Sequence, residues 1–168
     1  ALNNNGFALS DKHFVRTADD IDSHMHIAEE NQIDGIVTDN CDYSYFTSSV
    51  VSQKLGLNFS SIENAISCID KTQQREKCSA DYSIKQPEFK EIRTYSEYQS
   101  YSNKLGFPYI IKPVDSRGTF GVTIVRDESN AKYAYFHAIT NSPSKRVICE
   151  RFIEGTLVTV DGFCFKNG

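Results

Sequence analysis

The spacing of apolar residues predicts that the first half of the chain is mainly helical. Apolar side chains recur every three to four residues, which places them on one face of a helix. The second of these segments turns Phe46, Val50, Val51 and Leu55 inward. This pattern predicts helices at residues 17–32 and 43–55, and capping signals predict a helix at 60–67 and a polar helix, with almost no apolar face, at 70–79.

Polar residues and glycines predict where several helices begin and end. A Ser or Thr followed three residues later by an acid has the spacing of a capping box, and a Gly after the last apolar residue is a common stop. The last of the four helices begins at Asp70. The other signals are the pairs Thr17/Asp20, Ser60/Glu63 and Thr94/Glu97, and the glycines Gly56 and Gly106.

A short apolar run at residues 33–38 (IDGIVT) is rich in β-branched residues and predicts a buried strand. With the helix at 43–55 it predicts a βα unit. Substrates of such layers lie near the carboxyl ends of the strands, which makes Asp39 and Asn40 candidate substrate neighbours.

The pattern changes after residues 83–89 (SIKQPEF), where we place a domain boundary. Strands then alternate with helices, and some strands are joined by tight loops, which predicts an α+β layer. The predicted strands cover residues 88–93, 107–113, 121–126, 146–153 and 157–165, and the predicted helices cover 95–105 and 128–140.

Composition and charge narrow the class of protein. The 168 residues are 39% hydrophobic with a net charge of −4, and the Lys and Arg residues are spread along the chain. A nucleic-acid partner, which needs a basic patch, is not expected. No apolar stretch reaches the roughly 18 residues that span a membrane, and no signal pattern opens the chain, so we expect no membrane partner and a cytoplasmic location.

The cysteines and histidines do not predict a disulfide framework or a metal site. The five cysteines are widely spaced and lack a Cys-x-x-Cys pair, so reduced, mostly buried thiols are expected. His24 and His26 stand two apart on a helix and point to nearly opposite sides. Asn167-Gly168 favours a hairpin turn, but no second strand follows, so we expect a fragment of a longer protein.

The stretch from residue 110 to residue 125 (IIKPVDSRGTFGVTIV) carries the candidate chemistry. Lys112 ends an apolar run, and a short polar loop with two glycines separates it from a second run. Glycines let backbone N–H groups approach an anion, and hydroxyls and a lysine add donors and charge, so the loop predicts a polyphosphate site. A plain hairpin with glycines that serve only the turn is the alternative. The loop donors are Ser116, Gly118, Thr119 and Gly121.

Three common nucleotide loops do not match this order of residues. A Walker A lysine follows its glycines and leads into a helix, whereas Lys112 precedes the loop and a strand follows. The protein-kinase loop requires later motifs that are absent from the sequence, and a Rossmann loop opens a helix.

Two blocks resemble the ATP-grasp superfamily, whose members carry GFPxxxKPxxSxGSxGV and, after a helix, xxEExIxG. The blocks here are GFPYIIKPVDSRGTFGV at 106–122 and VICERFIEG at 147–155. Upstream, IDGIVTDN and DKTQQREK resemble the preceding pre-ATP-grasp domain and the helix that joins the two domains. The nearest likeness is to the carbamoyl-phosphate-synthase-like and amino-acid-ligase-like branch.

The resemblance implies a mixed α/β and α+β fold in three parts. Residues 1–68 would form a partial pre-ATP-grasp βα domain, and residues 69–87 a connecting helix and linker. Residues 88–168 would form the N-terminal part of an ATP-grasp domain with its hinge. The Mg²⁺ ligands of the family would lie downstream of this chain.

The resemblance also implies roles for residues that the pattern alone leaves open. The nearly apolar-free helix 70–79 would direct Lys71, and less directly Arg75, toward nucleotide phosphate together with Lys112. Glu150 and the backbone of residues 151–153 would bind adenine. Arg151, Phe152 and Ile153 are the residues of this hinge, and the last two add apolar surface.

By the same resemblance, the parent protein would be an ATP-dependent ligase. A small-molecule carboxylate would attack the γ-phosphate, and a nucleophile, commonly an amine, would capture the acyl phosphate. The fragment alone would be inactive, and its sequence indicates no oligomeric state. Phe120 and Leu157 replace an arginine and an acid that are frequent in the family. Phe120 and the absence of the family's metal-binding region from the sequence favour the alternative, a non-catalytic nucleotide-binding module or a truncated, inactive relative.

Overall fold

Four helices, preceded by a short 3-10 helix at Asn5–Leu9, make up the first half of the structure. A computed structural model describes residues 5–38 and 41–160 of the chain. No helix in these ranges is long and apolar enough to cross a membrane. The predicted helices are confirmed as α1 (Ile21–Glu30), α2 (Asp42–Leu55), α3 (Ile62–Ile69) and α4 (Lys71–Ser79).

The predicted C-terminal stops of the helices are confirmed more often than the predicted N-terminal caps. Gly56 follows α2 in the left-handed conformation, and Asp70 caps α4 by accepting from the N–H groups of Thr72 and Gln73. The expected caps of α1 and α3 are wrong, because the residues directly before these helices, Asp20 and Ser61, accept the hydrogen bonds. A cap side chain must sit next to the first turn to reach its N–H groups.

The buried side of α2 differs from its predicted apolar face. Of the predicted inward residues only Val51 is buried, whereas the others are half-buried. Small polar side chains fill the contact instead, and Thr47 Oγ1 donates to the Ala18 carbonyl at 2.6 Å. The buried polar residues of α2 are Thr47, Ser48, Ser49 and Ser52.

The predicted strand at residues 33–38 is wrong. This segment is irregular, and the Val37 side chain is 94% exposed. Within the described ranges, every strand belongs to the later sheet, so this segment has no neighbouring strand to pair with its backbone. Asp39 and Asn40, the expected substrate neighbours, lie outside the described residues.

The second half forms the predicted alternation of strands and helices. The Thr94/Glu97 capping box is confirmed, since both of its hydrogen bonds are present. Of the predicted strand at 157–165, the described part (157–160) is irregular, and the remainder lies outside the described residues. The elements are β1 (Phe89–Ile92), α5 (Tyr95–Leu105), β2 (Tyr109–Pro113), β3 (Thr123–Val125), α6 (Ala131–Thr140) after a 3-10 turn, and β4 (Val147–Arg151).

The four strands form one antiparallel sheet in the order β1-β4-β2-β3. Successive side chains of a strand point to opposite faces, so Tyr109 and Ile111 share one face while Ile110 and Lys112 share the other. In the register of β2 with β4, Ile110 lies opposite Glu150. Lys112 and Glu150 are therefore on the same face of the sheet.

The hydrophobic core lies on the Tyr109 face of the sheet, under α5 and α6. The Tyr98 and Tyr109 hydroxyls are 2.6 Å apart, and the Tyr98 hydroxyl also donates to the Ala131 carbonyl at 2.8 Å. Burial raises the pKa of Tyr98 far above its usual range, so the phenol stays neutral. The paired hydroxyls of Tyr98 and Tyr109 satisfy each other inside the core, whereas the buried Tyr101 hydroxyl has no hydrogen-bond partner among the described residues.

Helix α4 joins the helical half to the sheet. Its first N–H, from Lys71, donates to the Val114 carbonyl at 3.0 Å. Arg146, just before β4, donates to Asp70 Oδ2 at 2.7 Å and to Glu91 Oε2 at 2.9 Å. These contacts fix the start of α4 against the end of β2, beside the glycine loop.

We predict that Gly121→Ala lowers the free energy of unfolding by about 1–3 kcal/mol, measured by urea denaturation. A Cβ at position 121 would lie 2.7 Å from Pro113 Cγ and 2.8 Å from Asn141 Cβ, and the backbone has a φ of +75°. Gly56→Ala is the matched control, because φ there is +68° but nothing lies within 4 Å. Equal losses in the two variants would show that strain alone, without the steric clash, explains the effect.

Candidate functional site

A cavity of about 260 Å³ lies between the glycine loop, the start of α4 and the start of α2. The loop provides most of its wall, Lys71 provides one cation, and Asp42 provides one acid. The cavity contains three of the predicted loop donors, whereas Gly121 packs behind the loop against Pro113 and Asn141. The lining residues are Asp42, Lys71, Pro113, Ser116, Arg117, Gly118, Thr119, Phe120 and Val122.

The loop holds two successive residues in the left-handed region, Gly118 at φ 61° and Thr119 at φ 60°. That conformation is unusual for a β-branched residue and is found at functional loops. Among the hydrogen bonds of the described residues, none is donated by the backbone N–H groups of Arg117, Gly118 or Thr119. The loop therefore offers several unused donors beside the cavity.

Lys71 brings a positive charge to the cavity without a carboxylate partner. Its Nζ donates to the carbonyl oxygens of Ser116 at 2.6 Å and Val114 at 3.4 Å. No acid lies within ion-pair distance of Lys71 in the described part of the chain. Burial, and then the nearby charge of Lys112, lower the pKa of Lys71. The charges of Asp42, Asp115 and Asp70 act in the opposite direction, and an anion in the cavity would add a direct countercharge.

Lys112 does not line the cavity. Its Nζ lies 2.7 Å from Glu150 Oε2, on the sheet face opposite the hydrophobic core. The structure therefore brings together two of the predicted site residues, Lys112 and Glu150, in an ion pair. The roles predicted for them toward phosphate and adenine stay predictions.

Arg75 is a second partner of Glu150. Its Nε lies 2.7 Å from Glu150 Oε1, and its Nη2 lies 3.3 Å from Oε2. The Glu150 side chain is 4% exposed. Burial raises the pKa of Glu150, but the hydrogen bonds from Arg75 and the charge of Lys112 outweigh it and hold the pKa below its usual range. Both carboxylate oxygens are thus engaged by cations from two elements.

The predicted hinge uses part of its backbone for its own structure. Arg151 N donates to the Glu88 carbonyl at 2.9 Å, and Phe152 N donates to the Pro108 carbonyl at 3.4 Å. The Arg126 guanidinium lies 5.6 Å from the centre of the Phe152 ring. Ile153 is 65% exposed, and none of the described hydrogen bonds is donated by its N–H. Of the hinge residues, Ile153 therefore offers a backbone donor to a ligand.

Arg117 provides a cation that the sequence pattern did not single out. Its guanidinium lies over the Tyr43 ring at 4.3 Å, which ties the glycine loop to α2. Phe120, which replaces a frequent arginine, is 68% exposed and lines the same cavity. The cavity therefore keeps an arginine, although three residues earlier in the loop.

Asp115 anchors the start of the loop. It accepts from Ser142 Oγ at 2.7 Å and from Ser144 N at 2.9 Å. Burial raises the pKa of Asp115, but these hydrogen bonds outweigh it, and the pKa lies below its usual range. An ionised Asp115 thus fixes the loop to the segment before β4.

The structure adds contacts and residues that the sequence did not predict. Arg75 was predicted as a weaker phosphate contact on the same helix face as Lys71, but its pairing with Glu150 was not predicted. Arg117 lies inside the 110–125 stretch from which the loop was predicted. Nothing local indicated Asp42, which reaches the cavity only because α2 begins beside the loop.

Within residues 5–38 and 41–160, no group of three or more His, Cys, Asp or Glu side chains could hold a metal ion. That the ligands lie downstream stays a prediction.

Comparison with known sequences finds one matching family, described as "Carbamoyl-phosphate synthase L chain, ATP binding domain", over residues 68–157. The arginine-specific carbamoyl phosphate synthase large chain, mitochondrial, of Schizosaccharomyces pombe is 30% identical over 90 residues, which are 52% of this chain and 8% of that protein. A D-alanine–D-alanine ligase of Coprothermobacter proteolyticus is 39% identical over 67 residues, which are 40% of this chain and 21% of the ligase. The chain thus spans a small part of these relatives.

Among solved structures, the biotin carboxylase domain of the Hydrogenobacter thermophilus 2-oxoglutarate carboxylase is similar in fold, with a TM-score of 0.75 and 15% identity. The likeness covers 88% of this chain and 36% of that one. That domain was crystallised with MgADP, ADP and bicarbonate. At this identity the likeness concerns the fold alone.

We predict that Glu150→Gln lowers the free energy of unfolding at pH 7 by about 3 kcal/mol, because it removes the shared partner of two partly buried cations. The pKa of Glu150 is lower in the folded protein, so the ionised carboxylate stabilises the fold above the unfolded pKa of about 4.3. This contribution is lost as the pH falls through the folded pKa. Urea unfolding at pH 7, 5 and 3 should show the difference between variant and wild type shrinking only at acid pH.

The control for this measurement is Glu154→Gln, which removes an exposed carboxylate four residues later. Its free energy of unfolding at pH 7 should lie within about 0.5 kcal/mol of the wild type. A difference between Glu150→Gln and the wild type that stays the same from pH 7 to pH 3 would contradict the ionised, cation-bound state of Glu150.

Proposed function

Because this chain belongs to the carbamoyl-phosphate synthase L chain ATP-binding family, and so to the ATP-grasp superfamily, we propose that it is the ATP-binding part of an ATP-dependent ligase. The described fold is that of a partial ATP-grasp domain. In this proposal the ligase activity would belong to a longer parent protein, of which this chain would hold one nucleotide-binding portion.

The Lys71 ammonium at the cavity, which has no ion-pair partner among the described residues, is the observation that carries this proposal. A half-buried ammonium that contacts only carbonyl oxygens is stabilised when an anion binds beside it. The unused N–H groups of the loop, together with the Ser116 hydroxyl, add donors suited to phosphate oxygens, whereas Thr119 Oγ1 already donates to the Gly118 carbonyl at 2.6 Å. In this proposal Lys71, Lys112 and the Ser116, Gly118, Thr119 and Gly121 loop hold the triphosphate, which is also the role the resemblance implies.

The adenine end of the nucleotide is assigned to β4 and the hinge. Glu150 lies at the end of β4 with its carboxylate fixed by two cations, and Ile153 follows with an exposed side chain and an available N–H. A base on this edge would meet the Ile153 backbone and the Phe152 ring. Arg151 would then contribute through its carbonyl, because its N–H already bonds to Glu88.

The chemistry we propose is the formation of an acyl phosphate on a small-molecule carboxylate and its capture by a nucleophile. The phosphate site would neutralise charge on the nucleotide, and the loop would exclude water from it. Residues of this chain would bind ATP, and residues of the parent protein beyond it would bind Mg²⁺, which offsets charge during phosphoryl transfer.

The domain limits and the location remain proposals. We keep residues 1–68, 69–87 and 88–168 as the pre-ATP-grasp part, the connection and the ATP-grasp part. The family match from residue 68 and the start of α4 at Lys71 support the first limit. We also keep the cytoplasmic location as a prediction from the sequence.

We predict that Lys71→Met weakens binding of inorganic tripolyphosphate by about 10-fold or more, measured by isothermal titration calorimetry, since a charge-assisted hydrogen bond is lost. The free energy of unfolding should change by less than about 1 kcal/mol, because removing a desolvated charge offsets the loss of its bonds to two carbonyls. Lys77→Met, at an exposed position on the same helix, is the matched control and should bind like the wild type. Equal binding by the Lys71→Met protein would contradict the phosphate site.

We predict that Lys112→Met in the full-length protein abolishes carboxylate-dependent release of ADP, measured by a coupled assay. The variant retains Arg75 as the partner of Glu150, so the fold should survive. Nucleotide binding without carboxylate-dependent turnover in the wild type would instead favour the non-catalytic module. Unchanged turnover in the variant would remove Lys112 from the proposed site.

A further inference from the structure

Lys112 has two competing uses in this structure. Its ammonium lies 2.7 Å from Glu150 Oε2, yet the proposed site requires its charge for a polyphosphate at the neighbouring loop. Moving Lys112 away from its acid would matter little at an exposed ion pair. Here the Glu150 side chain is 4% exposed, and a buried carboxylate without a cation is strongly unfavourable.

Arg75 is placed to keep Glu150 compensated when Lys112 turns away. Its Nε and Nη2 reach both carboxylate oxygens, at 2.7 and 3.3 Å, so the pairing does not depend on Lys112. The side chain is held on its other edge, where Nη1 lies 3.3 Å from Gln86 Oε1. Arg75 also does not line the cavity at the loop.

The charges around the Glu150 carboxylate also indicate that Arg75 stays with Glu150 while Lys112 can move. Two cations share one acid, so the cluster carries an excess positive charge next to Lys71. A guanidinium binds a carboxylate side-on with two donors, whereas an ammonium on a flexible stem reorients at little cost. The arginine is therefore the fixed partner and the lysine the movable one.

We propose that Arg75 is a positioning residue that holds Glu150 and thereby releases Lys112 to bind the polyphosphate of the nucleotide. This inference rests on the proposed function, because it assumes a polyphosphate at the loop. It assigns Arg75 a role through Glu150 and Lys112, not a direct contact with phosphate.

The test uses the full-length protein and inorganic tripolyphosphate, measured by isothermal titration calorimetry. This probe has no base, so a loss of adenine contacts from Glu150 does not affect the result. Arg75→Gln should weaken binding by about 10-fold, because Lys112 then becomes the sole partner of Glu150 and stays with it. Arg75→Lys retains a cation at Glu150 but loses the side-on pair, so its binding should lie between that of Arg75→Gln and that of the wild type.

The decisive comparison repeats Arg75→Gln in the Glu150→Gln background. Without the carboxylate, Lys112 is free whether or not Arg75 is present, so Glu150→Gln and the double variant should bind tripolyphosphate equally within about 2-fold. An Arg75→Gln effect of similar size in both backgrounds would overturn the inference, because Arg75 would then contact the phosphate directly. No effect in either background, with tight binding by the wild type, would also overturn it.

Two controls keep the test conclusive. If the wild type itself does not bind tripolyphosphate, the proposed function fails, and the inference fails with it. If Arg75→Gln does not fold by circular dichroism, the comparison of Glu150→Gln with the double variant decides the question, since neither protein contains the uncompensated carboxylate. A weaker double variant then counts against the inference.

Discussion

The buried carboxylate of Glu150 is the constraint on which the two halves of the structure depend. It lies on the sheet, but one of its cations comes from α4 and the other from β2. Because a carboxylate this deeply buried needs both charge and hydrogen bonds, α4 must lie close to the sheet face opposite the core. That placement brings Lys71 to the glycine loop, and the Asp70–Arg146 contact fixes the same helix at its start.

Much of the fold follows from local pattern, and the exceptions have physical reasons. Helices with a regular apolar period and strands next to strong turns were predictable, as β2 and β3 around the loop show. The run at residues 33–38 looks like a strand, but a strand exists only where another strand pairs with it. The caps of α1 and α3 failed because two suitable polar residues stood near each start, and local sequence does not choose between Thr17 and Asp20.

The candidate site also has one part that local sequence predicts and another part that depends on tertiary packing. The loop donors were predictable, because glycines beside a lysine are a local signal, whereas Lys71 was singled out only by the resemblance to the ATP-grasp superfamily. The pairing of Arg75 with Glu150 was not, since the two residues are 75 positions apart and meet only after α4 packs on the sheet. The ion pair of Lys112 with Glu150 was not predicted for a related reason. Strand alternation fixes the sheet face on which Lys112 lies, but only the tertiary structure shows that Glu150 lies beside it on that face.

Lys71 and Arg75 lie on consecutive turns of α4, so the helix fixes the distance between their two positions. The step of four residues from Lys71 to Arg75 spans about 6 Å along the axis, so the cation at the loop and the cation at the sheet keep a set separation. Inserting a single residue between them would rotate one relative to the other by about 100° and take it off the shared face. Changes in the length of this helix are therefore constrained even though its side chains contribute almost nothing to a hydrophobic core.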